Sequence, residues 1–290
     1  MFLLFSCSMY DSISASPDFW VKLWGVRGSL PCPGAQTVRY GGNTSCAEVM
    51  CGSERLIFDL GTGARALGYV LQDQGVQEGK IFLSHTHMDH IGGFPFFKPV
   101  FLPESRFDIY AGHLVGQGLN LRNVLCGLMD PTIFPVGLEA LRAKLTCHDF
   151  EAGAILHPLP GVKLSTGPLN HPGRATGYRV EFAGHAICYI TDVEHVDGKL
   201  DETILRLIDG ADIVIYDTMF TDEEFVRYTG WGHSTWHQGV RLCREAGARR
   251  LVGFHHAPFR DDEELDAMAC ELDREHPGSI MGREGMVIRP

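Results

Sequence analysis

The sequence has no basic excess, no long apolar run and no paired-cysteine framework, and each absence narrows what the protein does. Lys and Arg together number 25 against 36 Asp and Glu, a formal net charge of −11 in 290 residues. Nucleic acid without a small target site is held by a broad basic surface, so this balance argues against an extended nucleic-acid interface. It leaves room for a small anionic substrate, because bound metal reverses the local potential. The opening Met1-Phe2-Leu3-Leu4-Phe5 is apolar but too short to span a bilayer, and no basic flank precedes it. Neither a membrane span nor a secretory signal is therefore expected. Residues 1–17 read as a disordered leader and 18–290 as one domain, since no linker, repeat or low-complexity tract divides the rest. Nine cysteines, an odd number, are scattered from Cys7 to Cys270 without CxxC spacing. They read as free thiols in a reducing compartment, which places the protein in the cytoplasm.

What the sequence does contain is histidine in one dense cluster. Ser84-His85-Thr86-His87-Met88-Asp89-His90 follows directly on the apolar run Ile81-Phe82-Leu83. This pattern predicts a strand end opening into a loop, then a helix from about Ile91 onward. His85 and His87 share a parity, so in an extended segment their imidazoles point to the same side. Asp89 and His90 can turn towards a neighbouring point, which suits two adjacent metal ions better than one. Imidazole with carboxylate suits zinc, manganese or iron, and paired metals of this kind are hydrolytic catalysts.

Other apolar runs also end in ligand types. Leu56–Gly63 carries Asp59, Ala186–Asp192 ends in Asp192, Ile213–Thr218 carries Asp217, and Arg250–Pro258 carries His255 and His256. Taken singly, each acid has an ordinary reading as a turn residue, and Asp59 as the N-cap of a helix near Ala64–Leu71. A carboxylate such as Asp192 can also bridge two ions roughly 3.5–4 Å apart. Two glycine-rich loops, Arg27–Gly34 and Tyr40–Ser45, serve either turn geometry or the approach of backbone to a ligand. In the second case Asn43, Thr44 and Ser45 are the substrate-binding donors. The segment from Leu114 to Ala143 reads either as an apolar lid or partner surface, usable for a homodimer, or as plain core packing.

The pattern His-x-His-x-Asp-His after an apolar strand resembles the signature of the metallo-β-lactamase superfamily, and the likeness runs from about Phe19 to the C-terminus. The resemblance implies an α/β (α+β) fold, a four-layer αβ/βα sandwich with a two-metal site at the edge where the sheets meet. It also implies that His171 completes one ligand set with His85 and His87. Asp89, His90 and His255 form the other, and Asp192 lies between them. A slip of one residue would put His256 in place of His255. Asp59 and Asp217 are expected to orient ligands rather than bind metal. Thr176-Gly177-Tyr178-Arg179 and Trp231-Gly232-His233-Ser234-Thr235-Trp236 are similar to stretches of the phosphodiesterase branch, PhnP-like and RNase Z-like. By that likeness His233 is catalytic and protonates a leaving alkoxide. The plainer alternative has Ser234 or Thr235 capping a helix to about Ala246, with His233 merely exposed.

The expected function is hydrolysis of a small anionic phosphodiester, a cyclic phosphate or nucleotide, by attack of a hydroxide bridging two divalent ions. Asp89 would be catalytic as well as a ligand, orienting that hydroxide. The ions are expected to be Zn²⁺, with Mn²⁺ or Fe²⁺ as alternatives. Flavodiiron-type members carry glutamate where this chain has His87, which disfavours redox chemistry. RNase Z-like enzymes usually hold tRNA through a protruding arm, and no glycine- and basic-rich insertion of that kind appears. A thioester hydrolase like glyoxalase II and a non-catalytic metal-binding module with a regulatory role are the alternatives.

Overall fold

Alternation along each strand decides which face meets which layer. The computed structural model describes residues 18–196 and 198–290, so the expected leader lies outside the described residues. The chain begins with β1 (Phe19–Gly25), β2 (Cys46–Cys51), β3 (Glu54–Phe58), α1 (Ala64–Asp73), β4 (Glu78–Leu83), α2 (Met88–Ile91) and β5 (Arg106–Ala111). It continues through α3 (Leu121–Leu128), β6 (Lys144–Asp149), β7 (Ile155–Leu156), β8 (Val162–Leu169), β9 (Ala175–Phe182), β10 (His185–Ile190) and α4 (Glu202–Ile208). It ends with β11 (Ile213–Asp217), α5 (Asp222–Phe225), α6 (Trp236–Ala246), β12 (Leu251–Phe254), α7 (Asp262–Glu275), β13 (Ile280–Met281) and β14 (Val287–Ile288).

Two seven-stranded sheets result, ordered β14-β1-β2-β3-β4-β5-β6 and β13-β12-β11-β10-β9-β8-β7. Phe58 and Phe82 of the first sheet pack against Tyr178, Tyr189, Ile187 and Ile215 of the second, forming the core between the sheets. Ile57, Ile81 and Leu83 point the other way, onto Leu67 and Leu71 of α1 and Leu121 and Leu125 of α3. Cys188, Ile190, Val214 and Tyr216 likewise face Ile204, Leu207, Val240, Cys243, Leu265 and Leu272 of α4, α6 and α7. Strands covered on both faces are apolar at every position, which is why Ile81-Phe82-Leu83 and Ile213-Val214-Ile215 show no polar alternation. The layers are those of the expected αβ/βα sandwich. No helix among the described residues is long and apolar enough to cross a membrane.

Strand direction positions the site. β3, β4, β5 and β6 are mutually parallel, as are β10, β11 and β12. β8 is antiparallel to β9, which is antiparallel to β10, so β8 runs with β10. Strand carboxyl ends therefore gather at one edge, where open α/β sheets place their ligands.

One local expectation needs correction. The helix predicted from about Ile91 onward ends there instead: α2 is Met88–Ile91, followed by 3₁₀ turns at Phe94–Phe96 and Lys98–Phe101. Gly92, Gly93, Pro95 and Pro99 withhold helix propensity and backbone donors just past that point. In the Leu114–Ala143 segment, Leu114, Leu121, Leu125, Leu128 and Met129 are buried in the outer core, so most of its apolar content is packing. Val115, Leu119, Ile133 and Val136 remain exposed.

Candidate metal centre

The residues of that edge stand at or just past the ends of β3, β4, β8, β10, β11 and β12. Asp59 follows β3, His85 and His87 follow β4, His171 follows β8, Asp192 follows β10, Asp217 ends β11 and His255 follows β12. Among the described non-glycine residues six have φ between 52° and 65°, and Asp59, Asp192 and His255 are three of them. A left-handed backbone is unfavourable for a side-chain-bearing residue and persists only where the surroundings over-determine it. Here it turns each side chain off its strand and into the edge.

The side chains converge in two groups joined by Asp192, and a third set, Asp192, Asp217, His233 and His255, overlaps the second. Donor atoms of His85, His87 and His171 lie within 4.8 Å of one another, as do those of Asp89, His90, Asp192 and His255. His171 Nε2 is 3.1 Å from His87 Nδ1. Asp192 Oδ1 lies 3.7 Å from His85 Nε2 and 3.8 Å from His171 Nε2, while Oδ2 lies 3.1 Å from His90 Nε2 and 3.3 Å from His255 Nε2. Asp89 Oδ2 is 3.1 Å from His255 Nε2 and 3.3 Å from His90 Nε2.

These separations test the fit to metal. Ligands held at 2.0–2.1 Å around one tetrahedral ion stand about 3.3 Å apart, close to the spacings seen. His85 Nε2 is buried without any hydrogen-bond partner, an expensive arrangement for a nitrogen that has no ion to bind. Burial also holds His85 well below the usual histidine range, and lowers His87 and His171, keeping their lone pairs available. Burial alone would raise Asp89 and Asp192, but the facing histidines hold both carboxyls well below their usual range. The donor set fits divalent cations.

Hydrogen bonds fix which nitrogen faces inward. His90 Nδ1–H donates to Asp59 Oδ2 at 2.7 Å, and His171 Nδ1–H donates to the Gly232 carbonyl at 2.8 Å. Each leaves Nε2 for the cluster. Asp59 also accepts from Ser84 N, Ser84 Oγ and Tyr189 OH, at 2.7 to 2.8 Å. It caps no helix; α1 begins after Gly63. Asp217 accepts from Met219 N and from His233 Nδ1, the latter at 2.8 Å. Burial would lower His233, but the charge and hydrogen bond of Asp217 push it up to about 9. Thr235 does cap α6, accepting from Gln238 N, yet His233 is buried beside Asp192 rather than exposed. The two readings of this motif coexist.

His255 lies in the cluster. His256 turns away, its Nε2–H donating to the Gly282 carbonyl, and burial lowers it to about 3. Asn43, Thr44 and Ser45 do not form the expected substrate-binding face. Asn43 is tied by its backbone and side chain to Glu284, Thr44 Oγ1 accepts from Thr62 N, and Thr44 and Ser45 are fully buried. The backbone that does approach the cluster belongs to the other glycine loop. Ser29 N donates to Asp89 Oδ2 at 2.7 Å, and a Cβ on Gly28 would lie 2.4 Å from the His255 ring. Ser29 (φ 61°) is a fourth left-handed residue at this edge. Ser29, Ser84 and Tyr189 carry no sign of these roles in their own segments; the glycine at 28 is the one signal of the close approach.

A double sheet whose strand ends bring histidines and aspartates to one edge defines a metal-dependent hydrolase of the metallo-β-lactamase kind. A family model described as the Beta-lactamase superfamily domain matches residues 55–256, and the chain belongs to that family. It is similar to the Ribonuclease Z of Myxococcus xanthus, 22% identical over 283 residues that cover 82% of this chain and 89% of that protein. It is 27% identical to the Ribonuclease Z of Methanosarcina mazei over 270 residues, 80% and 85% of the two chains. Among solved structures it is similar to the metallo-beta-lactamase fold protein YhfI from Bacillus subtilis, with TM-score 0.68, 20% identity, and 93% and 98% of the chains covered. A diphosphatase from the PhnP family has TM-score 0.67 and 17% identity, with 94% and 98% covered.

Proposed function

We propose that the protein hydrolyses the phosphodiester bond of a small cyclic phosphate or nucleotide at a two-ion site. The observation that carries this reading is the orientation of Asp192, whose two oxygens face different histidine groups. His85, His87 and His171 would hold one divalent ion and Asp89, His90 and His255 the other, with Asp192 shared. Histidine-rich donors favour Zn²⁺, with Mn²⁺ or Fe²⁺ as alternatives. When bound, such ions supply ionised water near neutral pH and neutralise charge on phosphoryl oxygens.

The chain's own residues do the rest. Asp59 and the Gly232 carbonyl hold His90 and His171 in the tautomer that aims Nε2 inward. Ser29 N fixes the Asp89 carboxylate through Oδ2, and its second oxygen would orient the attacking water. Asp217 anchors His233 through Nδ1, and the opposite ring nitrogen delivers a proton to the departing oxygen. The relatives' name speaks for an RNA substrate. The net charge of −11 supports a small diester over a folded RNA, since it provides no broad basic surface.

The test is hydrolysis of bis(p-nitrophenyl) phosphate by purified protein with Zn²⁺ or Mn²⁺, beside a thioester and a lactam. Diester turnover that disappears in His85→Ala is the expected result. Turnover of the thioester alone would transfer the chain to the glyoxalase-like reading, and metal binding without any turnover to a non-catalytic module.

A further inference from the structure

Of the four tryptophans, Trp231 alone is mostly exposed, at 62%. A single exposed apolar side chain needs no explanation. The way this one is mounted does. Glu194 Oε2 accepts from Gly230 N at 2.7 Å and from Gly232 N at 2.8 Å, clamping the backbone on both sides of Trp231. Glu194 stands two residues after Asp192, and its own N–H donates to the Asn170 carbonyl, next to His171. Gly232 closes the circuit by accepting from His171. A Cβ at Gly232, which has φ 86°, would lie 2.2 Å from His171 Nδ1, so only glycine lets this loop lie against the donor cluster. The indole is therefore held by the same segments that place Asp192 and His171.

Ring contacts connect it to His233. Trp231 meets Tyr228 edge-on at 5.1 Å, Tyr228 stacks on Phe220 at 4.7 Å and 11°, and Phe220 meets His233 at 5.9 Å. An aromatic wall thus runs outward from the proposed proton donor, with Phe220 buried, Tyr228 half-buried and Trp231 at its exposed end. The side of the site nearest His233 is the side from which the alcohol departs. An acidic chain that cannot draw affinity from many phosphates needs another source, and the face of an indole supplies it to any nucleobase.

We propose that this wall is the leaving-group subsite, with a nucleobase of the departing nucleoside resting on Trp231. The inference rests on the phosphodiesterase reading and sharpens its substrate class to diesters whose leaving alcohol is a nucleoside. In the step itself, the oxygen of one water bonds to phosphorus. The P–O bond to the nucleoside breaks with its electron pair staying on that oxygen. His233 supplies its proton and is reprotonated by the proton the water releases.

The experiment uses thymidylyl-(3′→5′)-thymidine and two analogues, each with one nucleoside replaced by abasic deoxyribose. Wild type, Trp231→Ala and Trp231→Phe are assayed with Mn²⁺ or Zn²⁺, alongside bis(p-nitrophenyl) phosphate. In wild type, removing the base of the departing nucleoside should raise KM about tenfold, with kcat little changed. Trp231→Ala should impose the same rise on the intact dinucleotide and none on that analogue, and Trp231→Phe should retain most of the wild-type KM. Wild-type protein that hydrolyses bis(p-nitrophenyl) phosphate yet leaves the dinucleotide intact, or handles all three dinucleotides alike, overturns the subsite and spares the phosphodiesterase. Absence of bis(p-nitrophenyl) phosphate turnover overturns the phosphodiesterase reading and the subsite with it.

Discussion

The two ends of strands β3, β4 and β5 both carry titratable side chains and put them to opposite use. At the amino ends, Lys80 pairs with Asp108 at 3.2 Å and Arg106 with Glu78 at 3.8 Å, all in contact with solvent. They line a cavity of about 370 Å³ together with Arg55, Phe107 and Thr146. At the carboxyl ends, Asp59, His85 and His90 are sealed from water. The acids of one end meet long flexible cations; Asp59 at the other accepts from the His90 ring, from Ser84 and from the Tyr189 hydroxyl. A charge that water can screen is a matter of solubility. A carboxylate that must satisfy four donors, as Asp59 does, sets the geometry of everything it touches.

The comparison is broken most severely at Asp192. Asp192→Asn keeps the shape while removing the shared negative charge, and should lower kcat/KM for bis(p-nitrophenyl) phosphate at least about a thousandfold, since charge stabilisation of several kcal/mol is lost. The variant should also retain less than one equivalent of tightly bound Zn²⁺ per donor set, read by chelator competition. Full activity would mean that Asp192 is only a strand-end turn residue.

Much of this edge is legible in a short window of sequence, and the illegible part has a consistent cause. Ile81 to His90 carries strand, turn and ligands within ten residues, so pattern alone suffices. The His255–His256 ambiguity is one of backbone twist: the left-handed φ of His255 decides which ring turns inward, and two identical residues carry no sign of it. Ser29, Tyr189 and Glu284 act on partners 60, 130 and 241 residues away. Each is an unremarkable residue in its own segment, made important by the closing of two sheets. Asn43 and Thr44 show the reverse error, polar residues whose hydrogen bonds hold the loop to Glu284 and Thr62, while the Ser45 hydroxyl is buried without a hydrogen-bond partner.

An intermediate effect is expected at Asp217, which sharpens the contrast by removing charge without removing a donor of either histidine group. The protein's own side chains hold His233 at about 9, and bound cations nearby would lower that value. A proton donor works only while protonated, so kcat falls as pH rises through its pKa. Asp217→Asn deletes the interaction that raises this pKa and leaves the burial that lowers it. The alkaline limb of kcat should therefore move to lower pH by at least about one unit, with KM for the diester nearly unchanged. An unmoved limb would exclude His233 as the donor.

The smallest effect belongs to the amino ends. Lys80→Met removes an ion pair whose partners are both about a third exposed or less, with side-chain values of 25% and 35%. Screening by water limits such a pair to at most about 1 kcal/mol of stability. Asp108 is not left unpaired, because His148 Nε2 lies 3.0 Å from its other oxygen. The methionine keeps the aliphatic stem, so the apolar part of the side chain is retained. Urea denaturation should show a change in unfolding free energy below about 1 kcal/mol, with kcat/KM equal to wild type. A larger loss of stability would show that the charges at this end are as strongly coupled as those at the metal edge. A loss of activity without a loss of stability would show that the two ends communicate along the strands.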